Sequence, residues 1–203
     1  MEDAFIYDTV RSPRGKGKKG ALNELTAVAL SAKILKELRE RNKLNTEEVE
    51  DVIWGNVTQV GEQGGCLARS AVIAANYSES TPGLSINRFC ASGLEAVNLA
   101  TNQVKGSAGN AYVAGGVEMM SRVPMGSDGA AIAVDPTLAM NSYFVPQGIS
   151  ADILATKYSF SRDDVDAFAV ESQKRATVAR KSGYFRKSIA AIKDQNNLTI
   201  LDE

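Results

Sequence analysis

Two cysteines are the positions in this sequence where nucleophilic chemistry could sit, and Cys90 has the more suggestive surroundings. It lies in SINRFCASGLEAVNLATNQV, residues 85–104. Leu84 and Ile86 alternate as in a short strand, Cys90-Ala91-Ser92-Gly93 supplies small residues, and Leu94, Val97, Leu99 and Val104 follow with helical spacing closed by Gly106. The pattern predicts a strand that hands over to a helix at Cys90. Free N–H groups and the positive end of the helix dipole point at such a position, and both favour thiolate over thiol. Small neighbours leave room for a substrate. The pattern also leaves a second reading open, an inert buried thiol, because free cysteine is among the most buried residue types.

Cys66, in GGCLARS, reads as a small core residue on a helix. The sequence contains no His. Two cysteines without His exclude a zinc site of ordinary type and argue against a disulfide scaffold, so no metal is expected.

The elements around Cys90 read as alternating strands and helices. Ala4 to Thr9 has the alternation of a first strand, which Arg11-Ser12-Pro13 ends by removing a ladder donor. The loop RSPRGKGKKG then carries Arg11, Arg14, Lys16, Lys18 and Lys19, and reads as a solvated connection. Asn23 or a neighbour caps a long helix with Leu25, Val28, Ala32, Leu35 and Leu38 as its stripe. After a helical turn at Thr46–Val49, Val52–Val57 reads as a strand and Leu67–Ala74 as a helix. Pro82-Gly83 turns the chain into the strand before Cys90. The helix after Cys90 carries one charge, Glu95, before Lys105, so burial on most of its faces is expected. Ala111–Ala114 makes a fourth strand. This order predicts an α/β fold with a mainly parallel sheet.

From Ser121 the chain is punctuated by Pro124, Gly126, Gly129, Pro136, Pro146 and Gly148 and reads as loop-rich. A short helix is expected over Ser150–Tyr158. A capping box at Ser161 and Asp164 opens a longer amphipathic one. Domain boundaries are placed at 1–120 and 121–203. The 203 residues are 44% apolar and 23% charged, with 24 acidic against 23 basic side chains, a globular balance without a strong field. Nothing points to nucleic acid or to a membrane, and the acidic start MEDAFIYD is unlike a basic leader, which gives a cytoplasmic expectation.

The run NRFCASGLEAV resembles the acyl-enzyme segment of the thiolases, and GGVEMMSRVPM, residues 115–125, is similar to a second signature of that family's N-terminal half. Arg11–Gly15, the Gly64–Arg69 segment, GISADILATKY and SRDDVDAFAVESQKRA extend the resemblance from Ala4 to about the end of the chain. Within the family the chain looks most like the acetyl-CoA acetyltransferases. The resemblance implies a layered αβαβα fold, of which this would be the N-terminal sheet with its helices plus part of the inserted loop domain. It also implies dimerisation through the strand around Leu84–Arg88, with a larger homo-oligomer left open.

The resemblance makes Cys90 the acyl-thioester nucleophile, with its backbone N–H as one oxyanion donor. The substrates would be acetyl-CoA, other acyl-CoA thioesters and coenzyme A, with no further cofactor. The reaction would be reversible Claisen condensation and thiolysis of 3-ketoacyl-CoA. The family's catalytic His and its second Cys, which stands in a Cys-x-Gly setting, are missing from these residues. The chain alone is therefore expected to be inactive. A ketoacyl or hydroxymethylglutaryl synthase is the other enzymatic reading, and the residues around Cys90 look more like a thiolase. A non-catalytic binding or assembly module remains the alternative from a different class.

Overall fold

The computed structural model describes residues 3–194 and 196–202. The chain divides into two units, one running to Asp128 and resuming at Ser188, the other Gly129–Lys187. The sequence puts a boundary after residue 120. In the structure, residues 121–128 and the last segment belong with the sheet.

In the first unit, α1 (Ala27–Asn42) is capped by Thr26, whose Oγ1 accepts from Ala29 N at 3.1 Å, three residues beyond Asn23. A 3-10 turn at Thr46–Glu48 leads into β1 (Asp51–Gly55), and α2 (Leu67–Ala74) precedes β2 (Gly83–Ile86). Then come α3 (Ser92–Lys105) and β3 (Tyr112–Gly116). The three strands form a parallel sheet in the order β2-β1-β3, with Ile53 opposite Leu84 on one side and Ala114 on the other. The expected α/β class and parallel sheet are what the structure contains. A short antiparallel pair, β4 (Ile192–Lys193) and β5 (Thr199–Leu201), closes the unit.

Alternation along β1 assigns the faces of the sheet. Val52 and Trp54 pack with Leu30, Leu35, Leu67 and Val72 from α1 and α2, while Ile53 packs against Ala96 and Ala100 of α3 on the opposite face. Trp54 Nε1 donates to Ser31 Oγ at 3.1 Å and Tyr77 donates to the Leu35 carbonyl at 2.9 Å, so both buried aromatic dipoles are satisfied. Arg39 Nη1 reaches the Ala75 and Asn76 carbonyls, each at 2.8 Å, and ties α1 to the end of α2.

Three sequence expectations are corrected here. Among the described residues Ala4–Thr9 pairs with no strand, and Phe5, Ile6 and Tyr7 are exposed. Alternation makes a segment fit for a ladder without supplying a neighbour's hydrogen bonds. The segment instead borders an open groove of about 930 Å³ beside β3. The first pairing occurs at Arg11, whose N–H donates to the Ser188 carbonyl at 2.7 Å. Secondly, α3 is not buried on most faces: only Ser92, Ala96 and Ala100 are buried, and Leu94 is exposed, because the sheet covers one side of it. Thirdly, Cys66 is exposed at the N-cap of α2 with φ of 58°, so it is a junction residue and no part of the core.

The second unit is helical: α4 (Ala131–Val134), α5 (Pro136–Ser142), α6 (Gln147–Tyr158) and α7 (Arg162–Lys181). Two short helices thus lie in the stretch expected to be loop-rich. Asp135 starts α5 by accepting from Leu138 N, with Pro136 at the first position, where no donor is needed. The predicted capping box is present: Ser161 Oγ accepts from Asp164 N at 3.1 Å and Asp164 Oδ2 accepts from Ser161 N at 2.9 Å. Among the described residues, no helix of the chain is long and apolar enough to cross a membrane.

Candidate active site

The end of β2 and the start of α3 are joined by five residues, Asn87–Ala91, and Cys90 is exposed on that turn. The strand-to-helix handover read from the sequence is therefore present, and the buried reading of Cys90 is not. The turn is tight because Phe89, a non-glycine residue, has φ of 49°. Left-handed backbone of this kind is strained for a bulky residue and persists where neighbouring bonds over-determine it.

Those bonds come from Asn87 and Ser92. Asn87 Oδ1 accepts from Phe89 N at 2.8 Å, and its Nδ2 donates to the Val57 carbonyl at 3.1 Å. Only one orientation of the amide satisfies both partners. Buried Ser92 accepts from Arg88 N at 2.9 Å and donates to the Phe89 carbonyl at 2.6 Å. Ala91 N and Ser92 N donate back to the Arg88 and Phe89 carbonyls at 3.1 and 3.0 Å. The turn's hydrogen bonds thus run from the N–H groups of Arg88, Phe89, Ala91 and Ser92. The Cys90 N–H is not among these donors.

Two glycines let α3 begin where it does. A Cβ on Gly55 would come within 2.5 Å of the Ser92 carbonyl carbon, and one on Gly116 within 2.5 Å of the Gly55 carbonyl oxygen. After β3, Glu118 accepts from Val57 N at 2.8 Å, Thr58 N at 3.3 Å and Gln63 Nε2 at 2.9 Å. Buried Gln63 returns a bond by accepting from Met119 N at 2.8 Å. At the surface, Glu95 in the first turn of α3 pairs with Arg88 at 3.0 Å. Cys66 lies beside β2, its Sγ 3.3 Å from the Gly83 carbonyl and 3.9 Å from Ser85 Oγ.

Asn87, Ser92 and Glu118 were not singled out by the residue pattern, yet each had a signal. Asn two residues before Phe89 is placed to accept from its N–H in an Asx-turn. Ser at a helix start favours side-chain bonds to local backbone. A lone carboxylate among Gly, Val and Met must be paired if it is covered. Among the described residues no group of acidic side chains and cysteines forms a metal cluster.

Fold and site together define an α/β protein with an accessible cysteine on a braced turn between a parallel strand and a helix. The description "Thiolase, N-terminal domain" matches residues 4–203, and the chain belongs to the thiolase family. It is 36% identical over 194 residues to a 3-ketoacyl-CoA thiolase of Colwellia psychrerythraea, which covers 94% of this chain and 50% of that protein. It is 37% identical over 195 residues to one of Shewanella sp. strain MR-7, covering 95% and 50%. A 3-ketoacyl-CoA thiolase of Acinetobacter baylyi is 34% identical over 205 residues, covering 98% and 51%. The chain spans about half the length of the curated relatives it matches.

Proposed function

We propose that this chain supplies the acyl-accepting cysteine of an acyl-CoA C-acyltransferase that condenses and thiolyses 3-ketoacyl-CoA, with acetyl-CoA among its substrates. The observation that carries the reading is Cys90 exposed on a turn whose hydrogen bonds leave its own N–H out. In the reaction the Cys90 thiolate adds to the thioester carbonyl carbon, and the carbonyl oxygen takes the negative charge. The Cys90 N–H then serves as an oxyanion donor, a contribution that in comparable sites amounts to about 3 kcal/mol. Collapse breaks the bond to the coenzyme A sulfur, coenzyme A leaves and takes up a proton, and the acyl group stays on Sγ.

The second half-reaction needs a proton acceptor and donor, and this chain has no imidazole to act as one. The reading is therefore one acyl transfer to Cys90 without turnover by the chain alone. Strand β2 lies at the edge of its sheet among the described residues, which supports pairing of a second copy around Leu84–Arg88.

The test is to incubate the chain with acetyl-CoA, quench in acid and map the acetyl group by mass spectrometry. Acetyl on Cys90, none on Cys66, and at most one coenzyme A released per chain is the expected result. An unmodified Cys90, or sustained coenzyme A release, overturns the reading. Coenzyme A bound without acetylation would instead point to a non-catalytic binding module.

A further inference from the structure

The Val57 peptide is held from both ends by side chains distant in sequence. Glu118 Oε2 accepts from its nitrogen side at 2.8 Å, while the carbonyl of the same residue accepts from Asn87 Nδ2 at 3.1 Å. The other end of the Asn87 amide accepts from Phe89 N at 2.8 Å, one residue before Cys90. A continuous series of bonds therefore runs from the Glu118 carboxylate through residue 57 and Asn87 to the backbone that carries the thiol. Glu118 is in turn fixed by Gln63, which also binds the Thr58 carbonyl at 2.9 Å. Among the described residues no hydrogen bond joins Glu118 or Asn87 to the Cys90 sulfur.

We propose that Glu118 and Asn87 are positioning residues for Cys90, holding Phe89 in its left-handed conformation so that the Cys90 Sγ and N–H address one carbonyl group together. The inference rests on the reading of Cys90 as acyl acceptor. Its physical basis is that φ of 49° at Phe89 is sparsely populated for a non-glycine residue and relaxes when its amide is released. Relaxation turns the following peptide and takes the Cys90 N–H out of line with the sulfur. Acylation needs both groups aligned, because reacting geometry is narrow and misplacement by about 1 Å lowers rates by about 100-fold. Alkylation by a small haloacetamide needs only an accessible thiolate.

The two reactions separate positioning from stability. The variants are Asn87→Ala, at an exposed position, and Glu118→Gln, each compared with the parent chain. The rate of Cys90 acetylation by acetyl-CoA and the rate of its alkylation by iodoacetamide are followed by mass spectrometry, with Cys66 alkylation in the same chain as an internal reference. Acetylation is expected to fall at least about tenfold in both variants while Cys90 alkylation relative to Cys66 changes less than about threefold. Asn87→Asp keeps the acceptor for Phe89 N and is expected to recover part of the acetylation rate.

Amide hydrogen exchange supplies a readout that needs no acyl donor. In Glu118→Gln the Phe89 N–H, which Glu118 does not touch, is expected to lose protection, while amides in the middle of α1 keep theirs. If acetylation and alkylation fall together, or the Phe89 amide stays protected in Glu118→Gln, the positioning inference is overturned. If the parent chain is not acetylated at Cys90 while the exchange coupling is present, the acyl-acceptor reading fails and the bond series is structural only. Should Glu118→Gln fail to fold, Asn87→Ala alone decides, since loss of Phe89 protection without loss of acetylation overturns the proposal.

Discussion

Ser92 shows how one small side chain can define the turn that carries Cys90. Its hydroxyl satisfies Arg88 N and the Phe89 carbonyl while buried against the sheet. Ser92→Ala keeps the size and removes both bonds. It is expected to lower stability by about 1–3 kcal/mol, read as a shift in urea midpoint, because Arg88 N is left without its acceptor. Tyr77 offers a second check at the same scale. Burial pushes its phenol up to about 12, and its hydroxyl donates to the Leu35 carbonyl. The folded value lies above the ordinary value near 10, so this stabilisation is complete below about pH 10 and is lost as the pH rises towards 12. Tyr77→Phe is therefore expected to cost about 1 kcal/mol at neutral pH, with the difference from the parent shrinking in alkali. Denaturation at neutral pH and above pH 10 checks the sign.

Strand β1 and helix α3 meet through backbone, and the meeting depends on Gly55. With a Cβ there 2.5 Å from the Ser92 carbonyl carbon, the start of α3 must move. Gly55→Ala is expected to cost about 1–3 kcal/mol and to slow acetylation of Cys90, measured by denaturation and by acetyl mapping. Gly93, one residue into the helix, has nothing within 4 Å of where a Cβ would stand. Gly93→Ala is expected to be neutral or to stabilise by up to about 1 kcal/mol, since alanine loses less backbone entropy in a helix. The pair of variants distinguishes close approach from helix propensity on one element. The exposed face of α3 follows from the same geometry, because three strands cover one side of the helix only.

Across the chain, the first unit is drawn together by contacts between residues remote in sequence. Arg122, in the SRVPM segment, pairs with Glu62 at 2.8 Å and donates to the Asn23 carbonyl at 2.9 Å, which ties the stretch after β3 to the approaches of α1 and α2. The hydrogen bond from Arg122 holds the Glu62 carboxyl below its ordinary value, although partial burial opposes this. A lowered folded value means that the contribution is present above about pH 4–5 and disappears as the pH falls through the folded value. Glu62→Gln is expected to lower the urea midpoint at pH 7 and to match the parent more closely in acid. A difference that grows on acidification would refute that sign.

Sequence by itself determined most of the elements around Cys90 and the chemistry to look for. The switch from alternation at Leu84 and Ile86 to helical spacing after Ser92 located the turn that holds Cys90, because both periods are local properties of the backbone. The Ser161–Asp164 capping box was legible for the same reason. Tertiary structure alone decided what pairs and what is covered. Among the described residues Ala4–Thr9 alternates like a strand yet forms no ladder, since alternation is local while a ladder needs hydrogen bonds to a second strand. Leu94 looks like core and is exposed, since burial depends on what packs against a face. The bonds that fix Cys90 join positions about 30 residues apart at Val57 and Asn87, and about 60 apart at Val57 and Glu118. No local period encodes such bonds, because only the parallel sheet brings those peptides and side chains within hydrogen-bonding distance.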